Sequence, residues 1–163
     1  MKKILILMLL LVSAGSLTAL AEEKVSQPSE QQQQAQQQTQ KGKITVTVNN
    51  LRSSNGDLVV ALFNSKQGFP GKLNSAIRKT VVSAEGTLHE VVFNDVPYGT
   101  WAVTVQHDEN RNGKLDSNFL GMPKEGVGTS NNPRSKFGPP SFDSASFTVD
   151  KGETELAINL RYL

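Results

Sequence analysis

After Lys41 apolar and polar residues alternate with period two: Ile44, Val46 and Val48 against Thr45, Thr47 and Asn49. Successive strand side chains point to opposite faces, so this segment predicts a half-buried β-strand. Asp57–Asn64 (DLVVALFN) is apolar almost throughout, which predicts a central strand. Ser54-Asn55-Gly56-Asp57 between them is turn chemistry, and residues 65–76, with Gly68, Pro70 and Gly71, read as a loop. Ile77–Ser83 and Thr87–Asn94 flank Ala84-Glu85-Gly86 and predict a hairpin. Val96-Pro97-Tyr98-Gly99 predicts a turn that launches Thr100–His107, with Trp101, Val103, Val105 and His107 on one inward face. Phe142–Val149 and Glu153–Tyr162 around Lys151-Gly152 predict a closing hairpin. The expected fold is all-β: a single antiparallel β-sandwich of about seven strands, immunoglobulin-like or transthyretin-like, with a small barrel as the alternative.

The N-terminus departs from this pattern. Lys2 and Lys3 precede the apolar run Ile4–Val12, and Ala19-Leu20-Ala21 supplies small residues for cleavage. This predicts a signal peptide over residues 1–21. The run is shorter than the ~20 apolar residues of a spanning helix, so no stable membrane insertion is expected after cleavage. Residues 22–40 are Gln-rich and nearly free of apolar side chains. Such a segment does not bury enough surface to offset its ordering entropy, and reads as a disordered tail. Residues 41–163 then form one domain, exported to a periplasm or the medium.

Charge changes the partner classes. The chain has 17 Lys and Arg against 15 Asp and Glu, and no cysteine. Cleavage would remove Lys2 and Lys3 and leave a formally neutral chain, which argues against nucleic-acid binding. The lack of cysteine excludes disulfides, thiolate zinc sites, a lipoprotein anchor and a cysteine nucleophile.

The long connection 108–141 carries the candidate chemistry. It opens Asp108-Glu109-Asn110-Arg111-Asn112-Gly113-Lys114-Leu115-Asp116. Side-chain oxygens fall at positions 1, 3, 5 and 9 and glycine at position 6, as in the first nine positions of an EF-hand calcium loop. Alternate residues of such a loop face inward. The expected ligands are Asp108, Asn110, Asn112, the Lys114 carbonyl and Asp116. Position 12 is Phe119 where an EF-hand has a bidentate Glu, so any Ca²⁺ binding is expected to be weak, about 10⁻⁴–10⁻³ M. Glu125 or Asp143 is the candidate for the missing carboxylate. Phe119, Leu120, Met122, Phe137 and Phe142 are expected to pin the loop back over the sandwich.

The string His107–Asn118, followed by Gly121-Met122-Pro123-Lys124-Glu125-Gly126, Ser130-Asn131-Asn132 and Phe137-Gly138-Pro139-Pro140-Ser141-Phe142, resembles the bacterial domain-of-unknown-function family numbered 2141. The resemblance covers about residues 43–162 and implies a secreted β-sandwich, without an activity to carry over. Val96–Val103 is similar to the turn-and-strand signature of transthyretin-like and carboxypeptidase-regulatory-like sandwiches, a fold that hosts many functions.

Catalytic motifs are absent from the sequence: no G-x-S-x-G, H-E-x-x-H or phosphate loop occurs. His107 and Asp108 are neighbours on a strand and face opposite ways, so they do not form a dyad. The expected function is a non-enzymatic exported module that binds a protein or glycan at its long-loop end, ordered there by calcium. The alternatives are an envelope hydrolase using His107 with Glu125 or Asp143, and a purely structural envelope protein.

Overall fold

The structure, a computed structural model, describes residues 40–134 and 138–163. The expected signal peptide, the Gln-rich tail up to residue 39 and the anchor Phe137 lie outside the described residues.

Among the described residues eight strands form two sheets: β1 (Lys41–Asn49), β2 (Asp57–Phe63), β3 (Arg78–Ser83), β4 (Glu90–Pro97), β5 (Gly99–Asp108), β6 (Gly126–Thr129), β7 (Phe147–Val149) and β8 (Glu153–Asn159). One sheet has the order β4-β1-β8. The other runs β3-β2-β5-β6, and β7 also pairs with β5. The neighbours are antiparallel except β1 and β8, which run parallel from Lys43↔Glu153 to Asn49↔Asn159. The chain is therefore an all-β sandwich.

Period two explains the layers. Ile44, Val46 and Val48 of β1 face Leu58, Val60 and Leu62 of β2 and Val103 and Val105 of β5 in one buried cluster, closed by Phe93 and Ile158. Trp101 joins this core, and its indole N–H donates to the Pro97 carbonyl at 2.9 Å. β2 lies between β3 and β5, as its unbroken apolar run implies. Its second face, Ala61 and Phe63, packs with Ala102, Phe142 and Ala145 in a smaller cluster.

Two expected hairpins are instead crossings between sheets. β3 pairs with β2, and β4 with β1. The connection leaves fully buried Ala84, whose N–H is bonded to the Gly56 carbonyl at 3.1 Å, and carries the chain over the surface from one sheet to the other. Likewise β7 pairs with β5 and β8 with β1. Turn residues mark a reversal but do not dictate which sheet the next strand joins. The expected strand Phe142–Val149 is also divided. Phe142–Ala145 is a helical turn (α1), with the Ser141 side chain accepting from the Ser144 N–H, and only Phe147–Val149 is strand.

Candidate functional site

β5 delivers the loop. Its last residue, Asp108, pairs with Asp57 at the start of β2, and the chain then winds through Lys114. Asp108 is 6% exposed. One of its carboxylate oxygens accepts the Asn112 N–H at 3.0 Å and the other the Gly113 N–H at 2.7 Å. Gly113 has φ +74°, a conformation that costs a side chain but not glycine. Asn110 Oδ1 accepts from Asn112 N–H at 3.1 Å, and Asn112 Oδ1 from Lys114 N–H at 2.8 Å. Both asparagine amides donate to Asp116, from Asn110 at 2.7 Å and from Asn112 at 3.1 Å. Asp108 and Asn112 are thus tied together, as are Asn110, Asn112 and Asp116. The four candidate side chains meet in one small polar loop.

The donor chemistry suits a hard cation. Two carboxylates, two amide oxygens and the Lys114 carbonyl are oxygen donors of the kind Ca²⁺ takes. A carbonyl oxygen that accepts one N–H keeps a second lone pair. The charged share is small: among the described residues, no three His, Asp or Glu side chains gather as a metal-holding group.

Of the two carboxylates considered for completing the loop, only Glu125 reaches it. Glu125 is 4% exposed. Its oxygens accept the N–H of Glu109 and of Asp116, each at 3.0 Å. It closes the two ends of the loop like a staple. Asp143 lies elsewhere, in an exposed 2.7 Å ion pair with Lys66.

His107 is fully buried. Its Nε2 lies 2.7 Å from the Asn55 carbonyl, which can only accept, so Nε2 carries the proton. Nδ1, 2.7 Å from the Tyr162 hydroxyl, then accepts from it. Tyr162 in turn accepts the Arg52 N–H at 3.1 Å. His107 therefore ties the β1–β2 turn and the chain end together, and contacts no loop carboxylate. Burial pushes the Tyr162 phenol above its ordinary value. The ring lies over β6, where a Cβ on Gly126 would stand 2.6 Å from it. That close approach explains the glycine.

Arg52 binds this frame to the loop. Its guanidinium stacks 4.4 Å from the Tyr162 ring centre, pairs with the Glu109 carboxylate and donates to the Lys124 carbonyl at 3.0 Å. The Ser53 hydroxyl also donates to Glu109, at 2.7 Å. The bond from Arg52 holds the Glu109 carboxyl below its ordinary value, against the opposing effect of partial burial. Arg111, at φ +58°, turns its side chain away from the loop interior toward Asp57 and Glu85.

Tyr162 and Arg52 are the members that sequence reasoning missed. Tyr162 ends the alternation Leu156, Ile158, Leu160, Tyr162, so its inward face was legible although its partner was not. Two shallow depressions adjoin this end, of about 500 and 470 Å³. Neither is lined by His107, Glu125 or Asp143. These three groups occupy a buried structural network, a loop staple and a surface ion pair.

Three of the expected loop anchors are not anchors. Phe119, Leu120 and Met122 are 95%, 67% and 43% exposed, and among the described anchors only Phe142 is buried. The chain turns back at residues 118–122 on local hydrogen bonds, which leaves those side chains outside the core. The loop also contains β6, which is covered by Tyr162 and paired through Val127 with Arg161, both bonds being 2.9 Å. Beyond it, the Ser130 hydroxyl lies 3.0 Å from the Val103 N–H and 2.5 Å from the Ala145 carbonyl. Asn132 bonds to Ala157 and Asn159 of β8. The Ser130-Asn131-Asn132 string is thus a clip between elements.

No curated protein and no solved structure gives a significant match to the chain. Residues 46–157 match the model of the family described as "uncharacterized protein conserved in bacteria" (DUF2141). That span contains the sandwich strands β2 to β7, the looped Asp108–Asp116 segment and its Glu125 staple, and the chain belongs to this family.

Proposed function

We propose that the chain is an exported, non-enzymatic β-sandwich module that binds a partner at its long-loop end, and that calcium orders this end. The convergence of Asp108, Asn110, Asn112 and Asp116 in one loop supports this reading. Asp108, Asn110, Asn112, the Lys114 carbonyl and Asp116 would hold the ion, with Glu125 fixing the ends of the loop from outside. The ion would supply positive charge to a segment that has little apolar burial of its own. Export rests on the signal-peptide reading of residues 1–21, and the transthyretin-like character of the sandwich on the Val96–Val103 turn and strand.

Binding to the native state alone stabilises it by RT ln(1 + [L]/Kd), which is about 1.4 kcal/mol at ten times Kd. For a domain of this size that is roughly 3–8 °C in Tm. Thermal unfolding at millimolar calcium should rise by that amount in the wild type. Asp108→Ala and Asp116→Ala should lose the increment, each compared with its own calcium-free baseline. A wild type that does not respond, or variants that respond as fully as the wild type, would remove calcium from the account.

A further inference from the structure

Beyond Asp116 the chain projects as a tight finger. Ser117 and Pro123 pair across its base, and the Lys124 N–H donates to the Asp116 carbonyl at 2.8 Å. Its end carries Phe119, 95% exposed, Leu120, 67% exposed, and Met122, 43% exposed. Solvated turns favour Gly, Asn, Asp and Ser. Three large apolar side chains exposed on one projecting turn instead present apolar area that gains by leaving water.

The backbone of the finger adds an independent observation. The Asn118 side-chain oxygen accepts the N–H of Leu120 at 2.9 Å and of Met122 at 3.0 Å. The Gly121 N–H goes to the Asn118 carbonyl at 2.9 Å, and the Asn118 N–H to the Met122 carbonyl at 2.8 Å. Pro123 has no N–H. Apart from that of Phe119, the amide donors of the tip are satisfied within the tip. Removing an unpaired peptide donor from water is costly, and a turn that supplies its own acceptors avoids most of that cost.

Two lysines flank the base of the finger along the chain. Lys114 and Lys124 are exposed, and neither makes an ion pair among the described residues. Of the nearby carboxylates, Glu109 is paired with Arg52, Asp108 and Glu125 are buried on backbone N–H groups, and Asp116 accepts from two asparagine amides, so among the described residues the lysine ammonium groups are the exposed unpaired charges at this end. An apolar tip with lysines at its base complements an anionic lipid surface, with the tip at the acyl boundary and the ammonium groups among the phosphates. A protein partner would need a cavity shaped to the finger, whereas a bilayer needs none.

We propose that residues 118–122 insert reversibly into the surface of an anionic phospholipid bilayer. The contact is peripheral and differs from a spanning segment. It names the partner of the loop end and rests on reading that end as the binding end, but does not rest on calcium.

Co-sedimentation of residues 22–163, the chain left by the proposed signal cleavage, with phosphatidylcholine vesicles, with and without phosphatidylglycerol, tests this in calcium and in chelator. The expected result is binding that requires phosphatidylglycerol and weakens roughly tenfold or more in Phe119→Ser/Leu120→Ser. Lys114→Glu/Lys124→Glu and added salt should weaken it too. Because both tip side chains are exposed, the serine variant should keep the wild-type Tm, which separates lost binding from lost folding. No vesicle binding in either condition, or binding that the serine variant retains, would overturn the inference. So would a protein partner that shields the finger while vesicles do not bind. The calcium effect on Tm is read without lipid, so either proposal can fail alone.

Discussion

β1 and the Asp108–Asp116 loop reach order by opposite routes. In β1, Ile44 and Val46 are fully buried against the facing sheet, and the strand is fixed by apolar area removed from water. In the loop, residues 110–114 are all exposed. Its shape comes from carboxylate and amide oxygens that take up backbone N–H groups, and from Glu125, which holds both ends. A strand of the first kind depends on apolar area alone. A loop of the second kind depends instead on the particular side-chain oxygens that accept its N–H groups.

The largest expected effect lies on the core side. Ile44→Ala should lower unfolding stability by about 2–5 kcal/mol in chemical denaturation, through lost burial and a residual cavity. The calcium increment in Tm should be the same as in the wild type. Glu125→Ala tests the loop side. It leaves the N–H groups of Glu109 and Asp116 without their acceptor, a loss of about 1–3 kcal/mol. It should also raise amide exchange in residues 109–116 more than in β1. Equal loss of protection in both regions would show that the loop and core unfold as one unit.

Tyr162→Phe probes the joint between them. It removes the hydroxyl between His107 and Arg52 while keeping the ring over Gly126, and should destabilise by about 1 kcal/mol. The smallest effect concerns Glu109. Its folded pKa lies below the ordinary 4.5, chiefly through Arg52. A carboxyl lowered in this way adds stability that is fully present above its unfolded value and lost as pH falls through the folded one. The Tm difference between wild type and Glu109→Gln should therefore be greatest near neutral pH and shrink as pH falls below 4.5. A difference that grows with acid would contradict the pairing.

The sequence was most informative where one force dominates. Alternation at Ile44, Val46 and Val48, the continuous run in β2 and the inward Trp101-Val103-Val105-His107 face all reappear in the structure, because burial alone sets them. The ligand-spaced side chains also meet in one loop, since Asp and Asn act on backbone N–H groups only a few residues away. What depended on distant partners was less legible. Ala84-Glu85-Gly86 has the chemistry of a hairpin turn, and only the packing of β3 on β2 and β4 on β1 makes it a crossing. The Gly126–Thr129 strand is hidden because its glycines read as loop, yet Gly126 answers to Tyr162. Glu125 and Asp143 were equivalent as letters, and separate only once β6 and α1 are placed. Phe119 and Leu120 read as anchors on hydrophobicity alone, and the local turn at Asn118 leaves them in solvent.

The contrast between core and loop is tested most directly by a calcium titration followed residue by residue in amide NMR spectra. The expected result is saturable shifts at Asp108–Asp116 and Glu125, with an apparent Kd of about 10⁻⁴–10⁻³ M. The amides of Ile44, Val60 and Val103 should stay in place. Loop signals that do not move at millimolar calcium, or shifts that saturate elsewhere in the sandwich, would contradict it.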